Sequence, residues 1–359
     1  MAKRWSVAAM VTLAGAALLW RPQAVAAGIS RGLSICSNVL IPSVFPFLVL
    51  CGIVVRVGLA AALGRRLERP TRRIFGLPGC CAAAIVIGFV GGYPAGGAAV
   101  GDLVRSGQIS RDEGKRLLRF CVNGGPGFVI GTVGAVLMGS TALGAVILLA
   151  NTLASLLLGV LGVPKDKRRQ PPIRQTSAAA QPLSVALVES VTSACEALLS
   201  MCGFVLLFSA VTALVEVSGI TALLGKTPSG TRLLSALLAS VLEVSCGCTA
   251  AASLGSYAAF FLAFAVGFGG LSVHCQLAAA LRDVRLIDGA FFVTRLAQGS
   301  LTAVLTVVLL RFIPITLSVW GAWQQPVAAA MGVGSVTLSV ALLVLGGVWM
   351  LTVGSHKTA

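Results

Sequence analysis

Three ionisable side chains lie inside long apolar runs of this sequence, and they indicate the chemistry that the chain could perform. They are Glu243, His274 and Arg295. A charged group within a bilayer is costly and is usually retained for function. Glu243 could bind a cation or a proton, or accept a hydrogen bond from a substrate; its structural alternative is a cap for N–H groups at a chain reversal. His274 could titrate near neutral pH, or it could only pack with a hydrogen bond. Arg295 requires a partner, either a carboxylate such as Glu243 or an anionic substrate.

Glycine and proline interrupt the apolar runs close to these side chains, at residues 91–97, 123–127, 243–248 and 267–270. Glycine loosens the backbone and proline removes an N–H donor. Within a bilayer, such backbone is tolerated only where protein or a water-filled cavity surrounds it. Broken segments can also aim helix N-termini, with their partial positive charge, at a ligand near the midplane. For residues 91–97 the alternative is a kinked membrane helix without a ligand.

The candidate substrate-binding residues lie at these breaks and beside them. Asn123, Ser272 and Gln276 are uncharged donors or acceptors that suit a small polar ligand, and Tyr93 is either a gate or a packed aromatic. The full set is Gly92, Tyr93, Pro94, Gly96, Asn123, Gly125, Glu243, Ser245, Gly269, Gly270, Ser272, His274, Gln276 and Arg295. The sequence contains no nucleophile–base pair, nucleotide motif or zinc-type cysteine spacing. We therefore expect no enzyme, no bound metal and no cofactor, with H⁺ or Na⁺ as the only candidate coupling ion.

The composition is that of a helical protein that crosses a membrane several times. Hydrophobic residues make up 57% of the chain, charged residues 11%, and the mean hydropathy is +0.96. The net charge of +16 comes from short basic clusters between apolar runs. That pattern is typical of cytoplasmic loops and not of a nucleic-acid-binding surface. The expected partners are the lipid bilayer of the cell membrane and a small-molecule substrate, and homo-oligomerisation is left open.

The order of the runs predicts an all-α inverted repeat with two re-entrant helical hairpins, at residues 79–104 and 233–253. Each half contributes a span, a hairpin, a broken span and a plain span, and the basic clusters give the halves opposite orientations. Ser110 and Glu113 form a capping box that starts a helix. The predicted units are an N-terminal anchor and interfacial helix at 1–40, the first repeat at 41–163, a basic cytoplasmic linker at 164–182, the second repeat at 183–312 and a C-terminal span at 313–359.

Several motifs, in order, resemble those of the YlbJ-like sporulation integral membrane proteins. They are Ile-Pro-Ser-Val-Phe-Pro-Phe at 41–47, Gly-Tyr-Pro-Ala-Gly at 92–96, Ser-Gly-Gln-Ile-Ser at 106–110, Asn-Gly-Gly-Pro at 123–126, Leu-Glu-Val-Ser at 242–245, Gly-Phe-Gly-Gly-Leu-Ser-Val at 267–273 and Phe-Phe-Val-Thr-Arg at 291–295. That family is similar to the nucleoside-recognition gate-domain group, whose fold is related to concentrative nucleoside transporters. This chain departs from the family pattern in two places. It has no lysine shortly after the Gly-Tyr-Pro motif, and of the family's asparagine-rich run before Gly124 only Asn123 is present.

The resemblance implies a transporter of the outer forespore membrane, with dipicolinate as the small anionic cargo. Two alternatives stay open. One is a transporter of nucleosides or another small polar solute, which would tolerate Glu243 as a hydrogen-bond acceptor. The other is a structural or assembly protein of the spore envelope, which would need no polar residues at the breaks.

Overall fold

The computed structural model describes residues 18–163 and 181–313, together with Trp5, Thr12, Gly15 and Ala16. The described residues form helices and contain no strand. The helices are α1 Pro22–Arg56, α2 Leu59–Arg66, α3 Glu68–Phe75, α4 Cys80–Arg105, α5 Arg111–Cys121, α6 Gly127–Leu137, α7 Thr141–Leu161, α8 Leu183–Val217, α9 Ile220–Gly225, α10 Pro228–Leu242, α11 Val244–Ala252, α12 Ala258–Phe268, α13 Gly270–Ala280 and α14 Gly289–Phe312. Of these, α6 is π-helical, and a short 3-10 helix at Gly255–Tyr257 precedes α12.

Six helical segments in the described ranges are long and apolar enough to cross a membrane. They are Pro22–Arg56, Cys80–Arg105, Thr141–Leu161, Leu183–Val217, Gly255–Ala280 and Gly289–Phe312. This confirms the expected all-helical membrane protein. The predicted linker at 164–182 and the predicted C-terminal span at 313–359 lie almost wholly outside the described residues.

The first long helix differs from the expected interfacial helix followed by a separate span. α1 is continuous from Pro22 to Arg56 and contains a π-helical stretch at Cys36–Leu40, shortly before Pro42. The apolar run that opens at Ile41 predicts a span to about Leu63, but the helix ends at Arg56, because Gly58 adopts a left-handed φ of 80°. In the second half, the sequence pattern predicts an amphipathic helix at Leu183–Leu198 and a separate span at Leu199–Leu224. The structure has instead the single long helix α8.

α1 and α8 lie antiparallel and are joined by two ion pairs. Arg31 pairs with Glu216 at 2.8 Å, and Arg56 pairs with Glu189 at 3.2 Å. The two arginines are about 37 Å apart along α1 at 1.5 Å per residue, a distance between the thickness of the hydrocarbon core and that of the whole bilayer. Between them the helices approach closely, since a Cβ added to Gly28 would lie 2.7 Å from the Ser209 carbonyl oxygen.

The chain reverses within α4 and again between α10 and α11. A Cβ added to Gly96 would lie 2.9 Å from Gly88 Cα, although eight residues of straight helix would separate these positions by about 12 Å. The reversal occurs at Gly92, whose φ of 85° and ψ of −172° are accessible essentially only to glycine. At the second reversal Glu243 has extended backbone, and a Cβ on Gly247 would lie 2.3 Å from Ser240 Cα. The two halves of each hairpin therefore pack against each other.

The other two predicted breaks are also present. α5 ends at Cys121, the chain runs extended through Val122, and α6 begins at Gly127. α12 and α13 are separated by Gly269, and Gly269 and the first residue of α13, Gly270, have φ of 86° and 75°. The predicted capping box of α5 is confirmed: Ser110 accepts the Glu113 N–H at 3.3 Å, and the Glu113 carboxylate accepts the Ser110 N–H at 2.8 Å.

Candidate functional site

A small cavity of about 40 Å³ lies where the helix breaks from both halves of the chain meet. Its wall is mostly apolar, with Phe47 and Phe128 as its large rings. The remaining lining residues are Leu40, Ser43, Val44, Val90, Gly91, Gly92, Tyr93, Pro94, Gly125, Gly127, Met201, Val205, Glu243, Val244, Ser245, Val273 and Gln276. An apolar cavity with a few polar groups is the usual form of a small-molecule site.

The structure divides the fourteen predicted site residues into two groups. Those that line the cavity are Gly92, Tyr93, Pro94, Gly125, Glu243, Ser245 and Gln276. Those that lie behind its wall are Gly96, Asn123, Gly269, Gly270, Ser272, His274 and Arg295, which are not among the lining residues. The cavity therefore receives one carboxylate, one hydroxyl and one amide from the predicted set.

Glu243 combines the structural and the functional role that the sequence allowed. One carboxylate oxygen accepts the Cys246 N–H at 2.7 Å and caps α11, an interaction that typically stabilises a helix by about 0.5–2 kcal/mol. The side chain is only 1% exposed, yet it lines the cavity. A buried carboxylate that borders a cavity can bind a proton, a cation or a donor group of a ligand.

Besides Glu243 and Tyr93, the polar side chains of the described lining are those of Ser43, Ser245 and Gln276. The Ser245 hydroxyl is buried and has no hydrogen-bond partner in the described part of the chain. Gln276 donates to the Ser272 hydroxyl at 3.2 Å. Since an unpaired buried hydroxyl costs free energy, Ser245 is well suited to bind a ligand in the cavity.

Helix N-termini face the cavity from several directions. α11 starts at Val244 and α6 starts at Gly127, and the second half of α4 starts after the reversal at Gly92. All three residues line the cavity. Each N-terminus carries a partial positive charge that favours an anionic group. None of the described lining residues is a lysine or an arginine.

Glycines allow the two breaks of each half to pack tightly. In the first half, a Cβ on Gly125 would lie 3.2 Å from the Gly92 nitrogen. In the second half, a Cβ on Gly270 would lie 2.9 Å from the Val244 nitrogen. Each half therefore places a hairpin turn directly against a break in the following helix.

Arg295 lies behind this wall and holds the ends of two broken helices. It is fully buried and donates to the carbonyl oxygens of Val122 at 2.7 Å and Gly267 at 2.5 Å, and more weakly to Phe268 at 3.3 Å. These carbonyls belong to the C-termini of α5 and α12, where partial negative charge accumulates. The expected partnership with Glu243 is not present, because no ion pair of Arg295 occurs among the described residues.

A buried amide network extends from Arg295 into the first half of the chain. Arg295 donates to the Gln298 amide oxygen at 2.6 Å, and Gln298 donates to the amide oxygens of Asn123 at 2.7 Å and Asn151 at 3.0 Å. Asn123 in turn donates to the Phe120 carbonyl at 2.9 Å. Asn123 therefore stabilises the end of α5 and does not face the cavity.

Tyr93 and His274 are also fixed by protein contacts. The Tyr93 hydroxyl donates to the Val266 carbonyl at 2.6 Å, while its ring faces Gly269 and the cavity. His274 is enclosed by the rings of Phe268, Phe291 and Phe292, with centroids at 4.9–5.4 Å, and its Nε2 lies 3.1 Å from the Phe268 carbonyl. The His274 position fits the packing alternative.

Two groups of site residues were missed by the sequence interpretation. The large apolar lining residues Phe47, Phe128 and Met201 carried no signal, because apolar side chains are ordinary in a membrane helix. The missed network residues Gln298 and Thr302 did carry a signal, because they lie three and seven residues after Arg295 and therefore share its face of α14. The described residues contain no group of histidines, cysteines and carboxylates that could hold a metal ion.

Comparison of the sequence with known proteins identifies a curated relative. The sporulation integral membrane protein YlbJ of Bacillus subtilis strain 168 is 28% identical over 341 residues, which covers 87% of this chain and 82% of that protein. The family resemblance expected from the sequence motifs is thereby confirmed. No protein-family model matches the chain, and no solved structure matches it.

Proposed function

Because this multi-pass membrane protein is a homologue of a Bacillus sporulation membrane protein, we propose that it transports a small polar solute across a membrane of the sporulating cell. The observation that carries the proposal is the cavity at which the breaks of both halves meet. Discontinuous helices around a central cavity are the arrangement in which many secondary transporters bind substrate. A protein with only a structural role in the spore envelope would not need Glu243 and an unpartnered Ser245 in such a wall.

We propose that the two halves form an inverted repeat and that the two hairpins are re-entrant. The antiparallel pairing of α1 with α8 supports the opposite orientation of the halves. The reversals at Gly92 and Glu243 support hairpins that return to the side from which they enter. The equivalent packing of Gly92 on Gly125 and of Glu243 on Gly270 supports two similar units. The cavity is complete within one chain, so a homo-oligomer is not needed to form it.

For the substrate we propose a small anion that contains a ring, with dipicolinate as the first compound to test. The N-termini of α6 and α11 favour negative charge, and the aromatic rings of Phe47, Phe128 and Tyr93 suit a flat ligand. The Glu243 carboxylate would repel such an anion. Protonation of Glu243 or binding of a cation beside it removes that repulsion, so anion transport would be coupled to H⁺ or Na⁺.

A neutral nucleoside is the second candidate, and one specific observation favours it. The cavity lining contains no lysine or arginine, and all contacts of Arg295 are with protein groups behind the wall. A neutral ring would need no basic partner and could donate a hydrogen bond to Glu243 directly. This candidate predicts transport without an absolute requirement for protonation of Glu243.

Uptake by proteoliposomes tests the proposal and separates the candidates. Purified protein would be reconstituted and the initial uptake of radiolabelled dipicolinate and uridine measured with imposed pH and Na⁺ gradients. We expect saturable dipicolinate uptake that requires one of these gradients. Uridine uptake without dipicolinate uptake would favour the nucleoside candidate. Protein that retains its folded structure but transports and binds neither would contradict the transport proposal.

A further inference from the structure

A second pocket of about 240 Å³ lies at one end of the helix bundle, away from the cavity. It opens between α5, the last turn of α7 and α14. Arg116 and Arg119 form its polar side, while Leu158 and Leu161 form its apolar side, and Thr294 of α14 completes the wall. Neither the proposed transport nor the network around Arg295 uses this pocket.

Three arginine nitrogens at this pocket lack an acceptor among the described residues. Arg116 donates through one terminal nitrogen to the Phe75 carbonyl at 2.6 Å, and Arg119 donates through one terminal nitrogen to Asp288 at 3.0 Å. The remaining Nε and Nη1 of Arg116 and the Nε of Arg119 are buried and have no hydrogen-bond partner among the described residues. Unpaired buried donors cost free energy, which an acceptor-rich ligand would recover.

The pocket also has an excess of positive charge. Asp288 is already paired with Arg119, and the Glu113 carboxylate is occupied by the N–H and hydroxyl of Ser110. Burial is the largest influence on Arg116 and lowers the pKa of its guanidinium from the ordinary value, with Glu113 acting in the opposite direction.

Its position relates the pocket to the membrane boundary. α7 is a candidate membrane span, and the residues that line the pocket are at its C-terminal end. Leu161, the last residue of that helix, is 71% exposed. The basic clusters mark this end as cytoplasmic, and basic pockets there are suited to anionic lipid headgroups.

We propose that Arg116 and Arg119 form a binding site for a phosphate-type anion, presented by an anionic phospholipid headgroup or as free phosphate. Phosphate oxygens are strong acceptors that can bind several arginine N–H groups at once. A phospholipid would in addition place an acyl chain against Leu158 and Leu161. The site is separate from the transport cavity, so its occupancy would tie this end of α7 to α5 and the start of α14.

The test uses the full-length purified protein in detergent and measures bound anion directly. One arm measures retention of phosphatidylglycerol against phosphatidylcholine with the same acyl chains, and the other measures binding of inorganic phosphate by equilibrium dialysis. We expect Arg116→Gln to reduce the binding of the anion by about tenfold, as for the loss of a hydrogen bond to a charged group. Retention of phosphatidylglycerol alone identifies the headgroup as the source, whereas phosphate binding with the same dependence on Arg116 identifies the free anion.

Two further variants keep the test decisive. Arg111→Gln removes one exposed positive charge from the same helix outside the pocket, and we expect it to leave binding unchanged. Thr294→Glu keeps every arginine but adds a tethered carboxylate that would occupy the N–H groups, so binding should be lost as in Arg116→Gln. An equal loss in Arg111→Gln, or normal binding in folded Thr294→Glu, would overturn the proposal, as would the absence of binding in both arms.

Discussion

At the scale of single residues, Glu243 is the side chain whose role the structure makes most specific. It is the carboxylate of the cavity lining, and it also caps α11 through the Cys246 N–H. Gln has an oxygen that can accept the same N–H, so Glu243→Gln removes the charge while it keeps the cap. This substitution therefore separates the electrostatic role of Glu243 from its structural role.

We expect Glu243→Gln to be folded but to transport without dependence on a pH or Na⁺ gradient, because the group that binds the coupling ion is gone. Initial uptake rates in proteoliposomes at several pH values would measure this. Glu196→Gln is the matched control, since Glu196 is an exposed carboxylate on α8 outside the cavity. Wild-type gradient dependence in folded Glu243→Gln would show that Glu243 is only a helix cap.

Arg295 leads to a prediction about stability. Arg295→Leu would leave the carbonyls of Val122 and Gly267 and the Gln298 amide without a donor, at a typical cost of about 1–3 kcal/mol for each buried unsatisfied group. We expect a markedly lower midpoint of thermal unfolding in detergent, measured by intrinsic tryptophan fluorescence. Arg295→Lys should lower this midpoint less, because lysine keeps the positive charge and part of the hydrogen bonding. Arg311→Gln, on an exposed position of the same helix, is the control; an equal effect there would contradict this role.

At the scale of elements, the two hairpins depend on glycine for different physical reasons. Gly247 is required by close approach, since its Cβ would overlap Ser240 Cα, whereas Gly92 is required by its backbone conformation. A non-glycine residue in the conformation of Gly92 costs of the order of 1–3 kcal/mol. Gly92 itself lines the cavity. Gly247 does not, but it lies in α11, whose first residues Val244 and Ser245 do.

We expect Gly92→Ala and Gly247→Ala to reduce solute uptake at least about tenfold, because a change of ~1.4 kcal/mol in the free energy of the competent state has that effect. Uptake would be normalised to the amount of protein in the membrane, measured by quantitative immunoblotting. Gly131→Ala and Gly203→Ala are matched controls, since an added Cβ at either position meets no atom within 4 Å. Normal uptake in both hairpin variants would show that the turns are scaffolding only.

At the scale of the whole molecule, the proposed re-entrant hairpins predict a specific membrane topology. Single cysteines would replace Ile74 and Ser106, before and after the first hairpin, and Ser229 and Ser253, before and after the second. All four positions are exposed, and the exposed native Cys195 and Cys275 would first be changed to serine. We expect a membrane-impermeant maleimide to label the first pair only from the cytoplasmic side and the second pair only from the outside. Labelling of the two members of a pair from opposite sides would mean that the segment crosses the membrane.

Much of the architecture could be predicted from the sequence because its signals are local. Apolar length predicts spans, a Ser-x-x-Glu pattern predicts the start of α5, and glycine with proline predicts where the backbone departs from a helix. The break positions at Gly92, Asn123, Glu243 and Gly269 were all correctly predicted for this reason. The continuity of α1 and α8 was not predicted. A few polar residues within these segments, together with Pro42 in α1, resemble a boundary between two helices in the sequence.

The tertiary structure alone decided which of the candidate residues meet. Glu243, Ser245 and Gln276 reach one cavity, while Arg295 and His274 lie behind its wall, although the sequence marks all five as polar groups in apolar runs. The reason is that an ionisable residue in a membrane segment needs a partner, and the chain does not specify locally whether that partner is a ligand or the backbone. For Arg295 the partners are carbonyls at the C-termini of α5 and α12, which are distant in sequence and adjacent only after folding.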